Sequence, residues 1–167
     1  MNQKWNLKII VKEILSTLVL FFIISLIVNY IRKPDIKEDI YALEIDDINN
    51  QKINFHSYKG RPLLVHFWAT WCPTCKFEAA NIQNLSASFQ VLSIAVNSGT
   101  NEKLQAYMKS HDFNYTVIND SNGALAKRFN IGAYPTTLIY SGTGELKFTE
   151  VGYSTTLGLK GRLKLLD

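Results

Sequence analysis

Residues 63–76 read LLVHFWATWCPTCK, a nearly continuous apolar run followed at once by a Cys-Pro-Thr-Cys sequence. A short apolar run of this kind is typical of a central β-strand that is covered on both faces of its sheet. Pro73 suits the first turn of a helix, because its missing N–H would have no partner there in any case. We therefore predict a buried strand over 63–69 that leads directly into a helix at the cysteine pair.

Cys72 and Cys75 are the only cysteines in this chain of 167 residues. At this spacing in the first turn of a helix they lie on the same side and can close a disulfide. The helix N-terminus favours negative charge, which lowers the pKa of the Cys72 thiol and supplies the thiolate that attacks in disulfide exchange. Cys75 lies one turn further in, and we expect it to be more buried and to resolve the mixed disulfide at Cys72.

Two other interpretations of the cysteine pair are a metal site and a pair of inert structural cysteines. A zinc site needs four ligands, but the chain has no second Cys-x-x-Cys and its three histidines match no zinc-finger spacing, so no metal site is predicted. Two inert structural cysteines are the other alternative. A strand, then Trp-Cys-Pro-Thr-Cys, then a helix favours redox chemistry over both. No prosthetic group is expected, because the two cysteines themselves carry the two electrons.

The rest of the domain alternates between strand and helix patterns, which predicts an α/β fold with a mainly parallel sheet covered on both faces. A turn at 141–144 joins the last two strands as a closing antiparallel hairpin. The further strands are predicted at 52–56, 91–96, 115–118, 136–140 and 145–151, and the further helices at 101–110 (capped by Asn101), at 122–129 and from 155 onward.

The beginning of the chain predicts a membrane anchor. Residues 14–31 read ILSTLVLFFIISLIVNYI and contain no charged side chain. As a helix this segment would be roughly 27 Å long, close to the hydrocarbon thickness of a bilayer. It lacks both the small-residue cleavage pattern of a signal peptide and the cysteine of a lipoprotein signal. We predict a cytoplasmic N-terminal tail over 1–13, an uncleaved transmembrane helix over 14–31, a linker over 32–44 and one domain over 45–167.

The net charge of +4 arises from 18 Lys and Arg against 14 Asp and Glu. These charges form no basic stripe, so we expect no nucleic-acid partner. Three basic residues precede the predicted membrane span and three follow it, at positions 4, 8 and 12 and at 32, 33 and 37. The positive-inside rule therefore does not decide the orientation of the span by itself.

From about residue 45 onward the chain resembles thioredoxin-fold proteins. More narrowly, it resembles the membrane-anchored thiol–disulfide oxidoreductases of the bacterial cell envelope, the TlpA-like and DsbE-like group. The blocks KGRPLLVHFWATWCPTC at 59–75 and FNIGAYPTTL at 129–138 carry this resemblance. It implies a thioredoxin fold with a central mixed sheet, helices on both faces and an extra helix–strand insertion between 101 and 118.

The resemblance also implies a cellular setting. The protein would be a single-pass protein of the bacterial cytoplasmic membrane, with its domain on the oxidising periplasmic or extracytoplasmic side. Its partners would be client proteins with thiols or disulfides and a redox partner in the membrane or envelope.

Several roles at the active site follow from the resemblance. Pro135 would be a cis-proline facing the cysteine pair, and the backbone of Tyr134 would pair with an incoming substrate strand. Trp71, Pro73 and Thr74 would complete the surface that touches the substrate.

Two further residues are candidate proton carriers. Glu78 stands where the membrane-anchored group often has a Glu near the resolving thiol. It would accept the proton of Cys75 if burial raises the pKa of its carboxyl, and the alternative is an ordinary exposed glutamate. His66 stands where thioredoxins proper carry a buried Asp, and it is either a proton shuttle or a neutral, hydrogen-bonded core histidine.

The direction of electron flow stays open at the level of sequence. The Pro-Thr dipeptide between the cysteines is similar to that of DsbE-like reductants, which serve cytochrome c maturation. Thr136, however, stands where that group typically carries a Glu. We expect a reductant of envelope proteins. The alternatives are a disulfide-donating oxidant, a copper-binding protein that uses the two thiols as ligands, or a binding module without turnover.

Overall fold

The computed structural model describes residues 7–31, 34, 36 and 40–167. It divides the chain into two compact units, Met1–Lys33 and Pro34–Asp167. The first unit contains helix α1 (Leu7–Ile31), along which large apolar side chains between Ile9 and Ile27 are exposed.

Across the described ranges, no helix combines the length and the apolar character needed to cross a membrane. The transmembrane anchor expected over 14–31 therefore stays a prediction. The expected tail over 1–13 and linker over 32–44 lie partly outside the described residues.

The second unit is built on a five-stranded mixed sheet. Strand β1 lies in its middle with every residue buried, as its apolar sequence predicts. It pairs in parallel with β2 and antiparallel with β4, while β3 and β5 form the two edges. The strands are β1 (Leu63–Trp68), β2 (Gln90–Val96), β3 (Thr116–Asp120), β4 (Thr136–Tyr140) and β5 (Leu146–Val151).

Helices cover both faces of this sheet, as expected for a thioredoxin fold. Successive β1 side chains point to opposite faces, so Leu64 and Trp68 pack with α2, α3 and α5, whereas Val65 and Phe67 pack with α4. Helix α3 and strand β3 form the predicted helix–strand insertion. The helices are α2 (Pro73–Ser86), α3 (Asn101–Ser110), α4 (Ala124–Arg128) and α5 (Thr156–Lys164).

The strand predicted at 52–56 is wrong. Lys52 forms only an isolated bridge with Asp46, and Phe55–Tyr58 is a short 3₁₀ helix. Asn54 begins this helix, because its side-chain oxygen accepts a hydrogen bond from the His56 N–H at 3.1 Å. Such a local side-chain bond to the backbone competes with strand pairing.

The described part of the predicted linker belongs to the folded domain. Ile40, Tyr41 and Leu43 are buried in the core. The Tyr41 hydroxyl donates to the Gly142 carbonyl at 3.4 Å, and a Cβ at Gly144 would overlap the Tyr41 ring. The mixed charge of the segment obscured these apolar residues in the sequence.

The cap of α3 also differs from the prediction. Thr100 caps the helix by accepting the Lys103 N–H at 3.4 Å, while the Asn101 side chain accepts a hydrogen bond from Asn119 at 2.9 Å.

Candidate active site at the cysteine pair

Cys72 and Cys75 are joined by a disulfide across the first turn of α2. Cys72 caps this helix, and its Sγ accepts a hydrogen bond from the Cys75 N–H at 3.2 Å. Cys75 is the more deeply buried of the two, 1% exposed against 5% for Cys72. Pro73 and Thr74 between them are exposed at the surface.

This position determines what each sulfur can do. In the dithiol form, the free N–H groups at the start of α2 stabilise a thiolate on Cys72, as they do in other proteins with a cysteine at a helix N-terminus. Cys72 is also the residue with the larger exposed fraction, which suits the attacking role. The geometry thus supports Cys72 as the nucleophile and Cys75 as the resolving thiol.

The loop before β4 faces the disulfide. The peptide bond between Tyr134 and Pro135 is cis, as the resemblance implied. The carbonyl oxygen of Tyr134 lies 3.7 Å from the Sγ of Cys72. The structure therefore brings the second sequence block next to the cysteine pair, while the role of Tyr134 and Pro135 in binding a substrate strand stays a prediction.

Trp71 and Tyr134 form an aromatic edge beside Cys72. Trp71 is 55% exposed, and its ring meets that of Tyr134 edge-on with 5.7 Å between centroids. The Trp71 indole N–H donates to the Asn97 carbonyl at 3.1 Å, which holds the indole in place. Sequence analysis missed Asn97, although its position directly after β2 places it at the same end of the sheet as the cysteine pair.

Glu78 is the buried acid of the site. Its side chain is fully buried, one turn beyond Cys75 on α2. One carboxyl oxygen accepts the Ser154 N–H at 3.1 Å, and the other has no hydrogen-bond partner among the described residues. Burial raises the pKa of this carboxyl to about 8, against the opposing effect of the Ser154 N–H. Glu78 therefore titrates in the same pH range as a thiol.

Asn81, which the sequence did not single out, holds the segment that reaches Glu78. Its amide donates to the Ser154 carbonyl at 3.0 Å and to the Tyr153 hydroxyl at 3.2 Å. Its oxygen accepts the Thr156 hydroxyl at 2.9 Å. These three bonds fix residues 153–156 against α2, so that the Ser154 N–H points at Glu78.

His66 lies inside β1 and is buried. Its Nδ1 is 3.0 Å from the Thr137 hydroxyl oxygen on the neighbouring strand. Burial lowers the pKa of its imidazole to about 3. The ring is therefore neutral at physiological pH, which favours the interpretation as a hydrogen-bonded core histidine over the interpretation as a proton shuttle.

The variant His66→Asn tests this interpretation. We expect an unchanged rate of disulfide exchange between pH 6 and pH 9, measured by stopped-flow fluorescence, because a ring with a pKa of about 3 does not take up a proton in this range. The contribution of His66 to the wild-type free energy of unfolding should fall by about 1.4 kcal/mol per pH unit as the pH drops from 6.5 toward 3, since only the unfolded chain protonates the ring in this range. This fall should be absent in His66→Asn and retained in the exposed control His56→Asn. A changed pH profile of exchange would return His66 to the mechanism.

Comparisons with known proteins agree with this site. A profile of the AhpC/TSA family matches residues 36–149. A thioredoxin-like protein of Haemophilus influenzae is 30% identical over 95% of both chains. Sporulation thiol-disulfide oxidoreductase A of Bacillus subtilis is 31% identical over 61% of this chain and 66% of its own. A secreted Mycobacterium tuberculosis disulfide oxidoreductase has a TM-score of 0.68 at 23% identity, over 78% of this chain and 99% of its own, which shows the shared thioredoxin fold.

Proposed function

Because the chain belongs to the AhpC/TSA family and is a thiol–disulfide oxidoreductase, we propose that it reduces disulfides of other proteins in the bacterial cell envelope. The observation that carries this proposal is the Cys72–Cys75 disulfide at the N-terminus of α2, beside the exposed edge of Trp71.

Each cycle of the proposed reaction moves two electrons. The Cys72 thiolate attacks one sulfur of a client disulfide, which forms a mixed disulfide and releases the first client thiolate. The Cys75 thiolate then attacks the Sγ of Cys72. The Cys72–Cys75 disulfide closes, the second client thiolate leaves, and both client sulfurs take up protons. A redox partner in the membrane or envelope must reduce the pair again before the next cycle.

Glu78 is proposed to take the proton from Cys75. The carboxyl oxygen without a partner is free to accept it, and the two groups share one side of α2. A carboxyl pKa of about 8 lies close to the ordinary thiol pKa of about 8.5, so proton transfer between the two groups costs little free energy. The charge that Glu78 gains lies in a buried site, which favours return of the proton once the disulfide has formed.

We propose from the sequence that the protein is anchored in the cytoplasmic membrane. The uncharged segment 14–31 has the length of a single membrane span. Disulfide chemistry is most useful on the oxidising side, so the domain is placed in the periplasmic or extracytoplasmic space. The test treats intact cells first with a membrane-impermeant phosphine reductant, which frees Cys72 from any mixed disulfide, and then with a membrane-impermeant maleimide. Labelling of Cys72 in the Cys75→Ser variant supports this orientation, and labelling only after lysis contradicts it.

The direction of electron flow is tested by the reduction potential of the full chain, equilibrated in glutathione or dithiothreitol buffers. A reductant should have a potential near roughly −270 mV, the value of thioredoxin. We expect a value in this range. A value near roughly −120 mV, the strongly oxidising end of the same scale, would make the protein a disulfide donor and would contradict the proposal.

A further inference from the structure

A cavity of about 360 Å³ opens beside Tyr134. The segments that line it come from three parts of the chain: the turn after β2, the start and body of α4, and the loop between α4 and β4. Its polar lining residues are Asn97, Asn122, Lys127, Asn130 and Tyr134. The side chains of the three asparagines and of Lys127 take no part in the exchange reaction.

Two of the asparagines have an unusual backbone. Asn97 and Asn130 have φ values of +47° and +52°, in the left-handed region that asparagine tolerates better than most residues. Both side chains are exposed, and neither amide forms a hydrogen bond with another residue in the described part of the chain. The side-chain oxygen of Asn122 accepts the Ala124 N–H at 3.1 Å, and its NH₂ group donates no hydrogen bond within the described part of the chain. The amide N–H groups at the cavity are therefore free to donate hydrogen bonds to a bound ligand.

The charge of the lining favours an anion. Lys127 and Tyr134 are the ionisable residues among those that line the cavity. Burial, and secondly the nearby charge of Asp120, raises the pKa of Tyr134, so its hydroxyl stays neutral. Asp120 is not among the lining residues and is only 3% exposed, and its carboxylate accepts the Leu125 and Ala126 N–H groups at 3.0 and 2.8 Å, whose dipoles offset part of its charge. A carboxylate would meet one ammonium and several amide donors here, whereas a cation would be repelled by Lys127.

The position of the cavity connects it with the exchange reaction. Tyr134 contributes both to the cavity lining and to the contact with Cys72, whose Sγ is 3.7 Å from its carbonyl oxygen. A strand advances about 3.3 Å per residue. A client strand that lies along Tyr134 has its reactive cysteine at Cys72. A residue one or two positions from that cysteine then lies next to the cavity, on the other side of the Tyr134 side chain.

We propose that this cavity is a specificity subsite, which binds an acidic side chain within two residues of the reactive cysteine in the client. The subsite rests on the proposed function, because it needs a client disulfide at Cys72. Lys127 supplies the charge, and the amides of Asn97 and Asn130 supply the hydrogen bonds that hold the carboxylate in one orientation.

The test uses synthetic peptides closed by an internal disulfide and the reduced full chain in single-turnover stopped-flow experiments. Glu, Gln or Lys is placed in turn at each of the two positions before and after the first cysteine. Rates are divided by those with dithiothreitol, since a neighbouring charge alone alters disulfide reactivity. At one position Glu should react about three- to tenfold faster than Gln, the size expected for a partly exposed charged hydrogen bond, and Lys should react more slowly.

Two variants localise the effect. Lys127→Gln removes the charge, and Asn130→Gly removes an amide while it keeps the left-handed backbone accessible. Both should lose the preference for Glu and still reduce the Gln peptide at the wild-type rate. The exposed control Lys109→Gln should keep the preference.

Three other outcomes of the peptide experiment would each contradict one of the two proposals. Equal rates with Glu and Gln at all four positions would refute the subsite. A preference for Glu that survives in both variants would assign it to another part of the surface. Failure of the wild-type protein to reduce any peptide would instead contradict the proposed reductase activity, which separates the two proposals.

Discussion

Replacement of Cys72 with serine is expected to abolish disulfide exchange, with a loss of more than about a thousandfold in the rate of insulin reduction. A serine hydroxyl stays protonated at the N-terminus of α2 and forms no covalent bond with a client sulfur. Cys75→Ser should behave differently, because it keeps the attacking sulfur and loses only the resolving one. We expect it to accumulate a mixed disulfide at Cys72, visible as a mass increase under non-reducing conditions.

The double variant, Cys72→Ser with Cys75→Ser, is the control for nonspecific adducts and should form none. If Cys72→Ser accumulated the mixed disulfide and Cys75→Ser did not, the roles of the two cysteines would be reversed. The small exposed fraction of Cys75, 1%, argues against that order.

Glu78→Gln is expected to change how stability depends on pH. The folded-state pKa of Glu78 is about 8, raised from 4.5 by burial. Between these two values the unfolded chain has lost a proton that the folded chain retains, so the contribution of Glu78 to the free energy of unfolding falls as the pH rises. The slope is about 1.4 kcal/mol per pH unit, and the total is on the order of 5 kcal/mol. Glutamine cannot ionise and still accepts the Ser154 N–H, so this fall should disappear.

Urea denaturation at a series of pH values measures this effect, with the exposed glutamate variant Glu44→Gln as the control. The control should follow the wild-type curve. His66 contributes with the opposite sign, because its lowered pKa removes stability as the pH falls below 6.5. Because the two contributions cancel between about pH 4.5 and pH 6.5 and one of them falls on either side, these two groups make the wild-type protein most stable in that range. A wild-type curve parallel to that of Glu78→Gln above pH 5 would show that Glu78 ionises freely in the folded state.

The same variant tests the proposed proton transfer. Without an acceptor for the Cys75 proton, Glu78→Gln should resolve mixed disulfides about a hundredfold more slowly near pH 8, the lower end of what general base catalysis contributes, because about half of the wild-type carboxyl is ionised there and can accept a proton. The deficit should be smaller near pH 7, where most of the carboxyl is already protonated. The deficit should also shrink as the pH rises further and solvent deprotonates the thiol. Rapid-quench trapping of the mixed disulfide measures the resolving step directly. Resolution at the wild-type rate throughout would remove Glu78 from the mechanism.

Local sequence patterns were sufficient for the framework of the site. The apolar run at 63–69, the proline after Cys72 and the spacing of the cysteines depend on neighbours within a few residues. They placed a buried strand and the start of a helix correctly. The same local reasoning failed at 52–56, where the Asn54 side chain begins a 3₁₀ helix, and at Ile40 to Leu43, which pack into the core although their segment looks like a linker.

The amino-acid sequence alone is sufficient to predict an α/β domain with a redox-active cysteine pair at a strand–helix junction. The protonation states around that pair, in contrast, depend on how distant parts of the chain pack together. The pKa of Glu78 depends on burial and on the Ser154 N–H, 76 residues away, and that of His66 on burial inside a five-stranded sheet. The cavity beside Tyr134 likewise joins residues from separate elements. Desolvation and convergence of distant side chains arise from packing between elements, which no short stretch of the chain encodes.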